Sequence, residues 1–323
     1  MRYFGLRMGQ ALLLLVGVSL LSFVFLQLAP GDFFSEMRLN PQVSSETVDS
    51  LRQQYGLDRP LPVRYWRWLR SVAHGELGFS FAYNSPVAPL LGVRARNTLL
   101  LTSMATFLAW SAAIPLGVLS AASPQGWLAR SCSLGSATLL ATPDLLLALA
   151  GLMFAVRSGW LRIGGMASAE IDAAQGWLRI RDVASHLLAP VTVLVLGSLP
   201  ILLRHTTSAM REALASPFVS AARAHGIGRT RILFRHALPA AMNPLVSLMG
   251  ASLASLLSAS LLVEVVMGWP GIGPLLLEAI LNRDLYVVIG VVMLSTFFLV
   301  AGMLTADLLL FVADPRIRRE GLA

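Results

Sequence analysis

Residues able to do chemistry are sparse along this chain, and their spacing excludes most reactions. The five histidines, at 74, 186, 205, 225 and 236, contain no His-Glu-x-x-His pair of the kind that holds zinc on one helix face. Ser198 beside Gly197 and Ser252 near Gly250 are placed for an intramembrane nucleophile, but no histidine pairs recognisably with either. Cys132 is the single cysteine, so an internal disulfide and a cysteine metal cage are both excluded. None of the 25 basic residues is lysine. A phosphate-binding loop ending Gly-Lys-Ser/Thr is therefore impossible, and ATP-driven work would need another polypeptide. Three acids, Asp144, Glu264 and Asp307, fall in or at the edge of apolar runs, where a charge is costly. Glu264 and Asp307 lie near run ends and can reach an interface, which favours a structural role. Asp144 follows Pro143 in mid-run, where capping the second half of a broken helix is favoured over a proton relay. No catalytic constellation emerges.

The polar residues that remain concentrate in one interval, 204–239, which holds six arginines, three histidines and one acid, Glu212. Its local grammar is helical. Ser216 is a good N-cap and Pro217 a good first residue, because the missing amide would be unpaired there anyway. Gly226 suits the left-handed position that ends a helix. The pattern predicts one short helix over 217–225, a break at 226–228, and a second short helix over 229–238 ending at Pro239. Such short helices are marginal in water and need a docking surface. Composition offers two surfaces: anionic lipid, or a socket on a partner protein.

The elements that position this interval are apolar spans. The 323 residues are 56% hydrophobic and 13% charged, with mean hydropathy +0.69. Runs near the bilayer-spanning length of about 20 residues recur. The sequence predicts six spans, at about 9–29, 98–122, 131–156, 183–203, 240–266 and 285–312, in one domain covering 1–323, with both termini inside. The first run has the positive start of a secretory signal but no small-x-small closure, so it is read as a retained span. Between the first two spans lies an outer segment, 30–96. Helices are expected there over 45–55, with Ser44 or Ser45 as cap and Gly56 as stop, and from Pro60, the latter an aromatic collar (Tyr65, Trp66, Trp68) at the membrane face. The third span is interrupted at Thr142-Pro143-Asp144. Inner segments carry 12 arginines against three acids, which agrees with the positive-inside rule, although the outer loop 157–185 holds four arginines. The sequence pI near 10.8 does not indicate nucleic acid, because the arginines are dispersed among the spans.

Within the interval, Ser220-Ala221-Ala222, three residues, Gly226, nine residues and His236-Ala237-Leu238-Pro239 resemble the EAA loop of ATP-binding-cassette importer permeases. That loop runs Glu-Ala-Ala, three residues, Gly, nine residues, Ile-x-Leu-Pro. Ala221, Ala222, Gly226, Leu238 and Pro239 match; Ser220 replaces the glutamate and His236 the isoleucine. Both departures are similar to the oligopeptide/dipeptide/nickel branch, which more often has lysine where this chain has His225. LAPGD (28–32), YGLDRPLPVRYWRWL (55–69), GELGFSF (75–81), NTLLL (97–101), GWPGIGPLLLEAILNRD (268–284) and DPRIR (314–318) extend the resemblance to the B-type permease over almost the whole chain.

The resemblance implies an all-α integral membrane protein with the type I importer permease fold, in the bacterial inner membrane. It implies that Ser220, Ala221, Ala222, Arg223, Ala224, His225, Gly226, His236, Leu238 and Pro239 couple the chain to an ATPase. The short helix would enter a cleft of that subunit, with Arg223, Arg229 and Arg231 pairing with acids on its rim. Implied partners are a homologous second permease, two cytoplasmic ATP-binding subunits and a periplasmic or lipid-anchored solute receptor, besides membrane lipid. No cofactor is expected on this chain; ATP and magnesium belong to the partner ATPases. The alternatives are an ion-coupled secondary transporter, to which only Thr142-Pro143-Asp144 points, and a membrane-embedded hydrolase, which lacks its constellation.

Overall fold

Apolar runs of this length fold as helices because hydrocarbon offers no water to the backbone, and a helix satisfies its own amides. The computed structural model describes residues 2–28, 31, 33–38, 44–54, 56, 58–168 and 176–313. The resemblance motif at 314–318, and parts of those at 28–32 and 55–69, lie outside the described residues. The chain opens with α1 (Arg2–Leu28), followed by the short helices α2 (Phe33–Met37), α3 (Ser45–Gln54) and α4 (Leu61–Ala73). A small antiparallel hairpin, β1 (Phe79–Ser80) with β2 (Ser85–Pro86), leads into α5 (Val87–Ala122). Next come α6 (Trp127–Ala141), α7 (Asp144–Ser158) and α8 (Trp177–Leu214). The arginine-rich interval supplies α9 (Pro217–Ala224), α10 (Arg229–Arg231) and a π-helical segment (Ile232–Ala237). The chain continues through α11 (Leu238–Met267), α12 (Ile272–Leu281) and α13 (Leu285–Ala313). Among the described residues five helices are long and apolar enough to cross a membrane, and α6 with α7, bent by 104° at their break, bring the spans to six.

Two compact units form. One is built from Leu99–Trp269 with the end of α13. Its core gathers Leu101, Ala148, Leu187, Val191, Leu194, Val263 and Trp269 around α8, which packs against α6, α7 and α11. Small residues set how closely its helices approach. A Cβ on Gly117 of α5 would stand 2.6 Å from Thr206 Cγ2 of α8, so glycine is required there. The segment after α7 is tied down by Asp182, whose buried carboxylate accepts from Arg162, from the Ser168 amide at 2.6 Å and from the Ser168 hydroxyl at 3.0 Å.

The other unit is built from Phe4–Thr98 and Pro270–Phe298. Ser44 caps α3 by accepting from the Thr47 amide at 3.2 Å, and Gly56 follows with φ +66°, as the sequence pattern predicts. The aromatic helix α4 departs from expectation. Trp66 is exposed, but Trp68 is buried and packs with Tyr65 around Phe23 of α1, at centroid separations of 5.1 and 5.3 Å. Most of the collar is therefore core, because helix α1 supplies an apolar wall for the rings. The hairpin is held by Asp284, which is fully buried and accepts from Ser80 Oγ at 2.6 Å and the Ala82 amide at 3.1 Å. Beside it the Tyr83 hydroxyl donates to Glu278; burial first, then that carboxylate, pushes Tyr83 up to about 12, so it remains a neutral donor at any working pH. Asn97 and Thr98 bond the Pro270 carbonyl (2.8 Å) and the Ile272 amide (2.9 Å), which fixes the start of α12 against α5.

Ser80→Ala removes one of the donors to a buried carboxylate. It is expected to destabilise this unit by about 2 kcal/mol, read as earlier thermal unfolding of the detergent-purified chain.

At the interruption expected in 131–156 the chain turns sharply, at Thr142-Pro143. Asp144 does not cap α7. It is the first helical residue, the cap position is Pro143, and the amides of Leu146 and Leu147 bond the Pro143 carbonyl at 2.9 and 3.1 Å. Glu264 is fully buried rather than placed at an interface, whereas Asp307 is half-buried.

Candidate partner-docking site

The interval 204–239 does not leave the fourth span where its hydropathy drops. Helix α8 runs on to Leu214, because Leu202, Thr206, Met210 and Ala213 keep a buried stripe at helical spacing through the arginines. The chain then turns at Ala215-Ser216 and forms α9. Ser216 occupies the cap position with extended backbone (φ −70°, ψ 151°), but its hydroxyl donates backward to the Ala213 carbonyl at 2.5 Å instead of accepting from α9. The cap position was predicted correctly and its hydrogen bond was not.

The C-terminus of α9 closes as a Schellman motif. The Ile227 amide donates to the Ala222 carbonyl at 3.1 Å and the Gly226 amide to the Arg223 carbonyl at 2.9 Å. Gly226 has φ +74°, and nothing lies within 4 Å of where its Cβ would stand. Glycine is needed there for backbone conformation and not for space. His225 adds a local bond, its Nδ1 donating to the Ala221 carbonyl at 2.8 Å.

Helix α9 has two faces. Val219 is fully buried and Ala222 half-buried, in a cluster with Val118, Ala121, Met210, Ala213, Ile232, Leu233, Ala237 and Ala241; Ile227 packs against the same cluster. Ser220, Ala221, Arg223, Ala224, His225 and Gly226 are exposed. The result is a short helix anchored beneath by one apolar face and presenting small and cationic residues outward, with Phe218 exposed at its start. Val219→Ala removes two buried methyl groups. It is expected to destabilise by about 2 kcal/mol, measured as a lower Tm and as earlier protease cleavage in 216–228.

The second half of the interval differs from expectation. After α10 the backbone widens into the π segment, which carries His236, and passes without a stop into α11. Leu238 and Pro239 occupy the first turn of α11 instead of ending a helix. A proline cannot donate to the carbonyl four residues back and crowds it, and the wider π turn relieves that crowding. Of the three rim arginines, Arg229 is already engaged within the chain, bonding the Ala122 carbonyl and, at 3.0 Å, Ser123 Oγ between α5 and α6. Arg223 and Arg231 are exposed, and Arg223 lines a groove of about 420 Å³ beside Leu214 and Ile227. His205 stands apart on α8, in a second groove of about 700 Å³ with Cys132, Arg204 and Arg211. The structure thus brings Ser220 through Gly226 onto one element, while Leu238 joins the apolar cluster beneath it and His236 and Pro239 lie apart, in the π segment and the first turn of α11. Sequence reasoning missed Val219 and Ile227, whose large apolar side chains within the arginine-rich interval were the available signal.

Comparison with known proteins agrees over the whole length. Residues 113–319 match the family described as "Binding-protein-dependent transport system inner membrane component", and residues 1–113 match the N-terminal region described for such membrane components. "Oligopeptide transport system permease protein AppB" of Bacillus subtilis (strain 168) is 34% identical over 306 residues, covering 94% of this chain and 95% of that protein. "Probable D,D-dipeptide transport system permease protein DdpB" of Escherichia coli (strain K12) is 32% identical, covering 96% of this chain and 95% of that protein. Among solved structures, a chain of the MetNI methionine ABC transporter in inward facing conformations superposes with TM-score 0.55 at 19% identity, covering 70% of this chain and 96% of that one. The last likeness concerns the fold alone, and it agrees with a type I importer permease fold. On the two family matches and the full-length relatives, this chain belongs to the family of inner-membrane components of binding-protein-dependent transport systems.

Proposed function

We propose that this chain is the permease subunit of an ATP-driven importer for peptides or peptide-like solutes, and that α9 is its coupling helix. The observation that carries the reading is the two-faced α9: Val219 fastens it to the membrane unit while Ser220, Ala221, Arg223, Ala224 and His225 face outward. An eight-residue helix held this way can transmit a push without melting, because its underside belongs to the chain's own core. The full-length likeness to permeases named for oligopeptide and D,D-dipeptide transport supports the solute class. Nothing in these relatives favours ion-coupled transport.

On this reading a second, homologous permease completes the path, two cytoplasmic subunits bind and hydrolyse ATP with magnesium, and a receptor outside delivers the solute. Both termini and the interval 204–239 face the cytoplasm of a bacterial inner membrane, and 30–96 faces the periplasm. This chain contributes no bond-making step. Its work is a coupling free energy between the ATPase contact and the outer opening. Mild-detergent purification of the tagged chain, with bound partners identified by mass, tests the reading. Two nucleotide-binding subunits and a second permease are expected. A stable chain without partners would make α9 a lipid-surface helix and sink the importer reading.

A further inference from the structure

The broken third span holds an ionisable group that the coupling reading does not use. Neither α6 nor α7, at 15 residues each, crosses a bilayer alone, and their break at Thr142-Pro143 sets Asp144 against the other helices of its unit. A cavity of about 330 Å³ opens there. Its polar lining is Thr142, Asp144, Ser198, Ser252 and Ser255, with Gly197 beside them, in an otherwise apolar wall. Gly197 lies near the middle of α8, and Ser252 and Ser255 near the middle of α11. The cavity therefore sits within the spanning lengths of two helices, and among the described residues Asp144 is the one ionisable group that lines it.

The carboxylate is not consumed by the fold. It makes no side-chain cap bond: the cap position is Pro143, whose carbonyl takes the amides of Leu146 and Leu147. Three of the four hydroxyls around it are committed elsewhere. Thr142 donates to the Thr138 carbonyl at 2.9 Å, Ser198 to that of Leu194 at 2.9 Å, and Ser252 to that of Met249 at 2.8 Å. Among the described residues Asp144 has no ion pair and accepts no hydrogen bond. An exposed carboxylate at this depth is costly against lipid and is tolerated where it lines water or meets a cation. Space has been kept for an occupant: a Cβ on Gly197 would lie 3.4 Å from Asp144 Oδ1, so any larger side chain would grow into the cavity. The volume falls at the small end of small-molecule sites.

We propose that Asp144 lines the solute path and binds the ammonium group of the passing solute, with Gly197 leaving the room it needs. The proposal rests on the importer reading and deepens it, naming a cationic amine as the group this chain reads. A compact ammonium fits one isolated carboxylate among hydroxyls mostly turned to the backbone, since it brings its own three donors.

The test uses the complete transporter, purified with its co-expressed subunits and receptor and reconstituted in vesicles, with radiolabelled trialanine as probe. Asp144→Asn is expected to cut uptake at least about tenfold, Asp144→Glu to retain most of it, and both to keep wild-type subunit stoichiometry. Gly197→Leu should block uptake with Asp144 intact. Water access is read separately in Cys132→Ala with Asp144→Cys, which leaves one thiol in this chain for a membrane-impermeant methanethiosulfonate. Wild-type uptake by Asp144→Asn overturns the proposal, as does a thiol that never reacts. Loss of the second permease from Asp144→Asn would also overturn it, in favour of an ion pair between subunits. A wild-type complex that hydrolyses ATP but imports no trialanine fails the peptide reading itself, and the ammonium assignment falls with it.

Discussion

Gly226→Pro is expected to abolish solute uptake, to below about a tenth of wild type, while the assembled complex retains ATP hydrolysis. Gly226 sits at φ +74°, outside the range that a proline ring permits. Its amide also donates to the Arg223 carbonyl, a bond that proline cannot make. Both losses fall on the turn that ends α9, so the last turn unwinds and the outward face loses its orientation. Because the site around Gly226 is open, side-chain size alone is not the problem. A graded series separates the causes. Gly226→Asn should stay close to wild type, since asparagine tolerates the left-handed region. Gly226→Ala should cost about 1 kcal/mol in strain and give partial uptake, and Gly226→Val should lie nearer to proline. Uptake and ATPase rate measured on the same vesicles decide the matter: equal uptake by glycine and proline forms would remove the Schellman turn from the coupling path.

How much of this was legible in the sequence depended on whether the deciding interaction was local. Pro217 and Gly226 mark the ends of α9 correctly because helix ends are set within a few residues. Ser44 and Gly56 bracket α3 for the same reason. The end of α8 was misplaced because hydropathy falls at Arg204 while helicity does not. The buried stripe Leu202, Thr206, Met210 and Ala213 was the signal that the helix continues. Pro239 misled in the opposite direction: a proline normally predicts a stop, and a π turn, which has no strong sequence signature, carried the backbone past it. Trp68 was read as an interface residue since nothing local says that Phe23, far away in the chain, will meet it. The acid at 144 was visible from the start. What it faces was not, because the cavity depends on Gly197 and Ser252 from two other helices.

The same distinction between faces decides where a bulky side chain reports on a partner. Ala224→Trp is expected to leave the chain's thermal stability unchanged and to reduce recovery of the ATPase subunits by more than about tenfold. Ala224 is exposed on α9, so an indole there meets nothing of its own chain. A socket shaped for small side chains would instead be overfilled, a cost of about 1–3 kcal/mol where the surroundings cannot give. Ala222, which belongs to the same Ser-Ala-Ala motif, is a poorer reporter. It is half-buried in the cluster with Val219 and Ile232, and its carbonyl accepts the Ile227 amide. Ala222→Trp would lever α9 off its own scaffold, so stability and partner recovery should fall together. The pair of variants therefore distinguishes a helix that is merely supported from one that is also received. Loss of partners in Ala222→Trp alone, with normal assembly and uptake in Ala224→Trp, would show that the outward face touches no protein and would leave α9 as a brace between α8 and α11.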